Sequence, residues 1–253
     1  MSISRRGLLA CVTLASGAIA ACRMNGAAAR IAGGGERLGV ATATTGPATT
    51  AAEPTPCAYP GLVDATTVAP GLRVDLKYAS SDNFLGRDVY GDLRSCLLVP
   101  DAARKLGDAA RLLAKRAPEL ALLAYDCGRP LRVQRLMWSL VAGTPSEPYV
   151  ANPNLPAASV HNRGCAVDLT LAERATGKAV PMGTAFDAFA TLSEPSAELS
   201  FFEQGSLDGE ALANRLLLRE VMVRTGFRPR ANEWWHFDCE PAEWARERYP
   251  LIE

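Results

Sequence analysis

The sequence predicts a single α+β domain with a central, mostly antiparallel sheet flanked by helices. Helical and strand-like segments mix without the strict strand–helix alternation of parallel-sheet proteins. About 200 residues follow residue 56, a length that suits one hydrophobic core. The chain carries 27 basic and 27 acidic residues, and this balance gives no indication of a nucleic-acid partner.

The first predicted strand and helix follow from local patterning. Residues 72–78, LRVDLKY, alternate apolar and polar side chains, which is typical of a half-buried strand. In residues 102–117, small and apolar side chains recur every three or four positions, which predicts an amphipathic helix. Asp101 is the expected cap of this helix, and Pro118 marks its end.

The later elements are predicted from apolar runs and from the glycine and proline residues that bound them. They are, in chain order, a buried strand over 119–126, a helix over 130–141, a strand over 165–171, a long amphipathic helix from 209 that stops at Gly226, and an aromatic strand over 233–239. Their mixed order favours α+β over a regular α/β fold.

Residues 1–22 are predicted to be a signal peptide for export. Arg5 and Arg6 in SRRGLLA resemble the twin-arginine signal, and an uncharged run rich in Ala, Leu and Val follows them. The stretch IAAC, which ends at Cys22, resembles a bacterial lipobox and predicts lipidation of Cys22. The alternative is an ordinary signal that is cut at one of several small-residue sites.

Residues 23–56 are dominated by Ala, Gly, Thr and Pro and contain almost no large apolar side chain. Such a segment has too little apolar surface to build a core, and we interpret it as a flexible tether. Residues 57–253 then form the exported domain, in the periplasm or cell envelope. The lipid anchor is its only expected contact with a membrane, and the sequence does not determine the oligomeric state.

The exported domain keeps an odd number of cysteines in an oxidising compartment. At most two disulfides can form, and one thiol is left over. The sequence does not settle the pairing, and no CxxC spacing indicates a cysteine metal site. The cysteines are Cys57, Cys96, Cys127, Cys165 and Cys239.

The chain contains only two histidines, His161 and His236. Asp168 follows His161 by seven positions in SVHNRGCAVDLTL, and His236 lies in NEWWHF. Two histidines and one carboxylate are a typical ligand set of a catalytic zinc ion, which keeps a further position for water. We therefore predict one Zn²⁺ at the sheet, although a lone histidine is more often a routine residue.

Gly164 supplies the bend that this ligand set requires. Seven extended residues span up to about 23 Å, so a straight chain cannot bring His161 and Asp168 to one ion. A reversal over residues 162–164, with glycine at its end, places the two side chains at the same point.

Glu233 and Arg129 are the predicted catalytic residues. Glu233 lies three positions before His236 and is the expected base for the attacking water. Because residues three apart point to opposite faces of a regular strand, we expect Asn232 or Glu233 to precede the true strand within residues 233–239. Arg129 is expected to stabilise an oxyanion, with an ordinary surface arginine as the alternative.

Four stretches together resemble the zinc D-alanyl-D-alanine dipeptidases, a branch of the zinc peptidases that act on peptidoglycan stem peptides. They are YDCGRP, SVHNRGCAVDLTL, MGTAFDAF and NEWWHF. The first histidine motif follows S-x-H-x-x-G-x-A-x-D without a break, and the second follows E-x-x-H. The resemblance runs from about residue 74 to residue 237, nearly the whole exported domain.

The resemblance implies hydrolysis of the D-Ala-D-Ala dipeptide by a zinc enzyme, with roles that match the chemistry above. It also implies that Ser159 and Asp187 hold the substrate, and Asp187 suits a free ammonium. Tyr78, Asn83 and Tyr90 lie in a loop that is expected to wall the same pocket. For Asp187 the alternative is an exposed aspartate at a helix start, and for Tyr78 it is filling of the core.

Two other functions stay open. A D,D- or L,D-carboxypeptidase on longer stem peptides requires an open groove, and residues 193–210 are expected to cover or frame the site. A wall-binding lipoprotein with a structural zinc has no use for Glu233. Export favours recycling of D-Ala-D-Ala or trimming of wall fragments over depletion of a cell-wall precursor.

Cys127 and Cys165 each lie within four positions of a predicted site residue. We favour a disulfide between them that braces the site. Buried thiols are the alternative.

Overall fold

The computed structural model describes residues 59–156 and 158–253. The predicted signal peptide, the tether, the lipidation site Cys22 and Cys57 lie outside these residues. No helix in the described part of the chain is long and apolar enough to cross a membrane. The α-helices there are α1 (Pro100–Arg116), α2 (Leu131–Val141), α3 (Glu198–Glu203), α4 (Gly209–Arg224) and α5 (Ala242–Arg248). The strands are β1 (Val63–Asp64), β2 (Arg73–Val74), β3 (Leu97–Leu98), β4 (Leu120–Asp126), β5 (Ala166–Glu173), β6 (Arg228–Pro229) and β7 (His236–Asp238).

A five-stranded sheet with the order β2-β4-β5-β7-β6 forms the centre of the domain. β2 pairs with β4 in parallel, and the other three neighbouring pairs are antiparallel. β1 and β3 form a separate antiparallel pair. The predicted α+β class and the mostly antiparallel central sheet are therefore confirmed.

The long central strands β4 and β5 are buried along nearly their whole length. α1 packs against β4 and buries the predicted stripe of small and apolar side chains. A second apolar cluster contains Leu123, Tyr125 and Ala172, with Phe186 packed against it. Because packing surrounds both strands, the residues at their ends are carried on a rigid frame.

The prediction that Asp101 caps α1 is wrong. The N-cap residue is Val99, which makes no side-chain capping bond. Asp101 lies inside the first turn and pairs with Arg104 at 2.6 Å and with Lys105 at 3.3 Å. An acidic side chain there still interacts favourably with the helix dipole.

The predicted strand over 72–78 is much shorter than expected. Of the predicted strand, only Arg73–Val74 pairs with β4, and residues Lys77–Ala79 form a 3-10 turn. The side-chain amide of Asn83 donates to the carbonyls of Lys77, at 2.9 Å, and Ser80, at 2.7 Å. These local hydrogen bonds turn the chain away from the sheet after Val74, although the alternating pattern continues to Tyr78.

The reversal that the first histidine motif requires is present. A 3-10 turn, Val160–Arg163, carries His161 and ends at Gly164, which has a φ of 66°. β5 begins two residues later and brings Asp168 back to the histidine. β7 covers only His236–Asp238 of the predicted strand over 233–239, so Glu233 precedes the true strand.

Two disulfides join Cys96 to Cys127 and Cys165 to Cys239, so the favoured bond between Cys127 and Cys165 is wrong. The sheet register explains the pairing. Ala166 lies opposite the residue before Cys239, and the next step along the two strands brings Cys165 and Cys239 together. Cys127 instead follows the end of β4, where the neighbouring Gly128 donates a backbone hydrogen bond to Leu97, next to Cys96.

We predict that Gly164→Ala destabilises the protein more than Gly205→Ala. Both glycines have a positive φ, which costs an alanine about 1–2 kcal/mol. A Cβ at Gly164 also meets Leu62 Cδ2 at 2.7 Å and Val99 N at 3.3 Å, whereas a Cβ at Gly205 meets open space. Such crowding adds about 1–3 kcal/mol.

The free energy of unfolding in urea, measured for both variants, checks this prediction. Equal losses in the two variants would show that the turn at Gly164 tolerates a side chain.

Candidate active site

Three buried side chains, His161, Asp168 and His236, converge at one end of the sheet. Asp168 on β5 and His236 on β7 are directly paired in the antiparallel register, and the turn before Gly164 supplies His161. Asp168 Oδ1 lies 2.9 Å from His236 Nδ1 and 3.2 Å from His161 Nε2. The two imidazole nitrogens are 3.1 Å apart. The structure thus brings together the three residues that sequence analysis selected as metal ligands.

The outer nitrogen of each imidazole has its own partner. His161 Nδ1 lies 2.7 Å from the carbonyl oxygen of Cys127. His236 Nε2 lies 2.8 Å from Asp238 Oδ1. When each outer nitrogen donates a proton to its oxygen partner, the inner nitrogen directs its lone pair at the centre of the cluster. This is the arrangement in which an imidazole binds a metal.

The donor set fits a zinc ion. Ligands placed tetrahedrally at about 2.0–2.1 Å from zinc are about 3.3 Å from one another. The separations of 2.9–3.2 Å between the donor atoms of His161, Asp168 and His236 are close to that value. Two nitrogens and one oxygen also leave a position for water, as in catalytic sites.

The charges around the cluster favour a cation. Burial raises the pKa of Asp168, but His161 and His236 outweigh that effect and hold it well below its usual range. Burial lowers the pKa of His236, but Asp238 and Asp168 raise it to about 10. The carboxylates therefore stabilise positive charge at this point, and metal binding there releases a proton.

Glu233 lies beside the cluster without being part of it. Its Oε2 is 3.8 Å from His236 Nδ1, and the side chain is buried. Burial raises the pKa of Glu233, whereas His236 and Arg230 lower it by less. A carboxylate with a raised pKa next to a metal position is suited to accept and return a proton.

Arg129 lies near the second carboxylate oxygen of Asp168, with Nη2 3.6 Å from Oδ2. Its guanidinium is fixed by Asp126, whose Oδ2 accepts from Nε at 2.8 Å and from Nη2 at 2.5 Å. Gln134 Oε1 accepts from Nη1 at 2.8 Å. A buried arginine that is held in this way presents its positive charge in one orientation.

Asp126 and Gln134 are residues that sequence analysis missed. Asp126 is fully buried, and Tyr90 also donates a hydrogen bond to it. The signal in the sequence is the spacing of YDCGRP, where an aspartate at a strand end precedes the arginine by three residues. Gln134 has no comparable signal, because it reaches Arg129 from the first turns of α2.

A cavity next to the cluster contains about 400 Å³ of space that protein atoms do not fill, part of it open to solvent. The residues predicted to bind metal, to act in catalysis and to bind substrate all line it, whereas Asn83 and Tyr90 do not. Asp187 accepts a hydrogen bond of 2.7 Å from the hydroxyl of Tyr78, so these two predicted substrate-binding residues form one group. Burial raises the pKa of Asp187 well above its usual value, and no salt bridge to it occurs within residues 59–156 and 158–253.

Known dipeptidases resemble this chain over most of its length. The model of the D-Ala-D-Ala dipeptidase family matches residues 59–251. The chain is 35% identical over 191 residues to a D-alanyl-D-alanine dipeptidase of Escherichia coli (strain K12). The aligned residues cover 76% of this chain and 89% of that protein. It is 33% identical over 184 residues to one from Enterococcus faecium, covering 67% of this chain and 87% of that protein. The chain belongs to the D-Ala-D-Ala dipeptidase family.

Membership of the D-Ala-D-Ala dipeptidase family confirms the resemblance and the prediction that the chain is a peptidase. A further member, a D-alanyl-D-alanine dipeptidase of Streptomyces coelicolor, is 33% identical over 182 residues, or 66% of this chain and 85% of that protein. The matched span contains the whole cavity and both histidine motifs.

We predict that Asp238→Asn weakens zinc binding by about 10- to 100-fold, the usual effect of removing the partner of a metal-binding histidine. The amide still reaches His236 Nε2 but no longer supplies the negative charge that makes the imidazole a better ligand. Glu240→Gln is the matched control, because Glu240 lies two residues further on and pairs with Lys105 at 3.1 Å. Competition with a chelator measures the zinc affinity of both variants, and a similar loss in each would contradict the role of Asp238.

Proposed function

We propose that this peptidase is a zinc-dependent dipeptidase that hydrolyses D-Ala-D-Ala to two molecules of D-alanine. The observation that carries the proposal is the convergence of the His161, Asp168 and His236 cluster, Glu233 and Arg129 on one cavity of a chain from the D-Ala-D-Ala dipeptidase family. The names of its relatives support the substrate.

His161, Asp168 and His236 would hold the zinc ion, one per chain. When bound, zinc acts as a Lewis acid that polarises the peptide carbonyl and lowers the pKa of water. The geometry and charge of the donor set support this assignment. The cluster is buried, so the surrounding protein limits access of bulk water to the reacting atoms.

Glu233 is the proposed general base. It takes a proton from the attacking water and then passes it to the amine of the departing D-alanine. Its pKa, raised by burial, brings its proton affinity closer to that required for both transfers. Its Oε2 lies 3.8 Å from His236 Nδ1, a distance at which one water molecule in the cavity can contact both groups from the side.

Arg129 is the proposed group that stabilises the oxyanion of the tetrahedral intermediate. A charge fixed in advance is more effective than one that must reorient during the reaction. Asp126 and Gln134 provide this fixation, and they leave the guanidinium in the cavity wall.

Recognition of a dipeptide is assigned to Asp187 with Tyr78 and Ser159. A free substrate ammonium next to Asp187 supplies the cation that its partly buried carboxylate lacks. A longer peptide carries a neutral amide at that position and cannot replace the ammonium. This difference favours the dipeptide over a stem peptide, and therefore a dipeptidase over a carboxypeptidase.

The cellular role rests on the N-terminal sequence. We propose that residues 1–22 export the protein and that Cys22 is lipidated, so that residues 23–56 tether the enzyme to a membrane of the cell envelope. In that location the enzyme acts in the turnover or recycling of peptidoglycan fragments.

Glu233→Gln is predicted to lower the rate of D-alanine release from D-Ala-D-Ala by about 10²- to 10⁴-fold, the usual contribution of a general base. Zinc content is expected to stay at one ion per chain, because Glu233 is not a proposed ligand. The matched control is Glu194→Gln, whose carboxylate lies 3.4 Å from the Tyr149 hydroxyl at the edge of the cavity. Loss of zinc together with activity in Glu233→Gln would contradict the assignment.

A second measurement separates the dipeptidase from its alternative. The zinc-loaded protein is predicted to release D-alanine from D-Ala-D-Ala and not from a stem pentapeptide that ends in the same pair. Comparable release from the pentapeptide would establish a carboxypeptidase, and zinc binding without turnover of either peptide would indicate a binding protein.

A further inference from the structure

Arg215, on α4, is a fully buried arginine that lies outside the cavity. Its guanidinium is bonded to the backbone of a single segment, residues 182–193. Nε donates to the carbonyl of Met182 at 2.6 Å, and Nη1 donates to the carbonyl of Leu192 at 3.0 Å. One side chain thus joins the two ends of this segment to a helix.

The 182–193 segment carries part of the cavity wall. Asp187 and Phe189 lie between the two carbonyls that Arg215 holds, and both line the cavity. Inside the segment, Ser193 Oγ donates to the carbonyl of Ala188 at 2.7 Å and lies 3.1 Å from Thr184 Oγ1. These contacts join the end of the segment, at Ser193, to residues on both sides of Asp187.

The same network reaches the residue next to Glu233. Trp234 Nε1 donates to Thr184 Oγ1 at 2.8 Å, and its backbone N–H donates to the carbonyl of Ser193 at 3.1 Å. The guanidinium of Arg215 lies over the Trp234 ring, 5.6 Å from its centroid. Arg215 thus fixes the substrate-binding segment relative to the chain that carries the proposed base.

Asp187 needs such a constraint. Its φ of 56° is in the left-handed region, which a residue other than glycine keeps only when its surroundings hold it there. Tyr78 holds the carboxylate from one side at 2.7 Å. The backbone on either side is held by the Arg215 network.

We propose that Arg215 is a positioning residue for substrate recognition: it fixes the 182–193 segment so that Asp187 meets the ammonium of the dipeptide. The inference rests on the proposed function, because it assumes that Asp187 binds that ammonium. Arg215 touches neither the substrate nor the zinc ligands, so its effect is on selectivity between substrates.

Arg215→Met tests the proposal while leaving the local charges balanced. Glu198, 3.5 Å from Arg215, stays paired with Arg219, whose Nη2 donates to both of its carboxylate oxygens at 2.7 and 2.5 Å. The matched control is Arg219→Met, which removes the other arginine on the same glutamate but no contact to the 182–193 segment. Thr184→Val is a second variant, since it removes a hydroxyl that accepts from Trp234 at 2.8 Å and from Arg215 Nη2 at 3.5 Å, and that lies 3.1 Å from Ser193 Oγ.

The experiment compares kcat/KM of the zinc-loaded full chain for D-Ala-D-Ala and, in competition, for D-lactoyl-D-alanine, in which a hydroxyl replaces the ammonium. The preference for D-Ala-D-Ala is expected to fall by about 10- to 100-fold in Arg215→Met, in line with the weakening of one charged hydrogen bond. A smaller fall in the same direction is expected in Thr184→Val. Arg219→Met is expected to keep the wild-type preference, and zinc content is expected to be unchanged in all three.

The outcomes separate this inference from the function on which it rests. If the wild-type protein hydrolyses neither compound, or does not prefer the dipeptide, the proposed function fails. If the wild type has the preference and Arg215→Met and Thr184→Val keep it, Arg215 has no positioning role. An equal loss of activity towards both compounds would also overturn the inference, because it would indicate a general structural role.

Discussion

The structure depends on bringing two histidines and an aspartate to one buried point. Their donor atoms lie 2.9–3.2 Å apart, although the residues are separated by as many as 75 positions in the chain. The β5–β7 register places Asp168 opposite His236, and the reversal at Gly164 returns His161 to the same place. Both disulfides act close to this point. One includes Cys127, whose carbonyl orients His161, and the other includes Cys239, next to the Asp238 that orients His236.

The cavity wall is held in two ways, by the central sheet on one side and by helix α4 on the other. The proposed zinc ligands and Arg129 are carried by the central sheet and by the turns at its edge, where Asp126 fixes the guanidinium. Asp187 is carried by a segment that is bonded to α4 through Arg215. The sheet side therefore holds the groups proposed for the chemistry, and the helix side holds the group proposed for selectivity. Trp234, next to Glu233, connects the two supports.

Local patterns in the sequence predict the local features of the candidate site. The two histidine motifs, the bend at Gly164 and the position of Glu233 before its strand all depend on spacing within a few residues, and the structure has each of them. Contacts between segments that are far apart in the chain cannot be predicted from such local patterns. The disulfide between Cys165 and Cys239 follows the register of β5 and β7, which are far apart in the chain. Nothing in the sequence of α4 distinguishes Arg215 from the other charged residues of that helix. The short β2 has a different cause, because hydrogen bonds from Asn83 outweigh an alternating pattern.

X-ray absorption at the zinc edge of the zinc-loaded full chain tests whether His161, Asp168 and His236 bind zinc. We expect one zinc ion per chain, with two imidazole nitrogens and oxygen ligands at about 2.0–2.1 Å. In His236→Ala the spectrum should lose one imidazole. Sulfur ligands at about 2.3 Å, or a spectrum unchanged by that substitution, would show that the ion binds elsewhere in the protein.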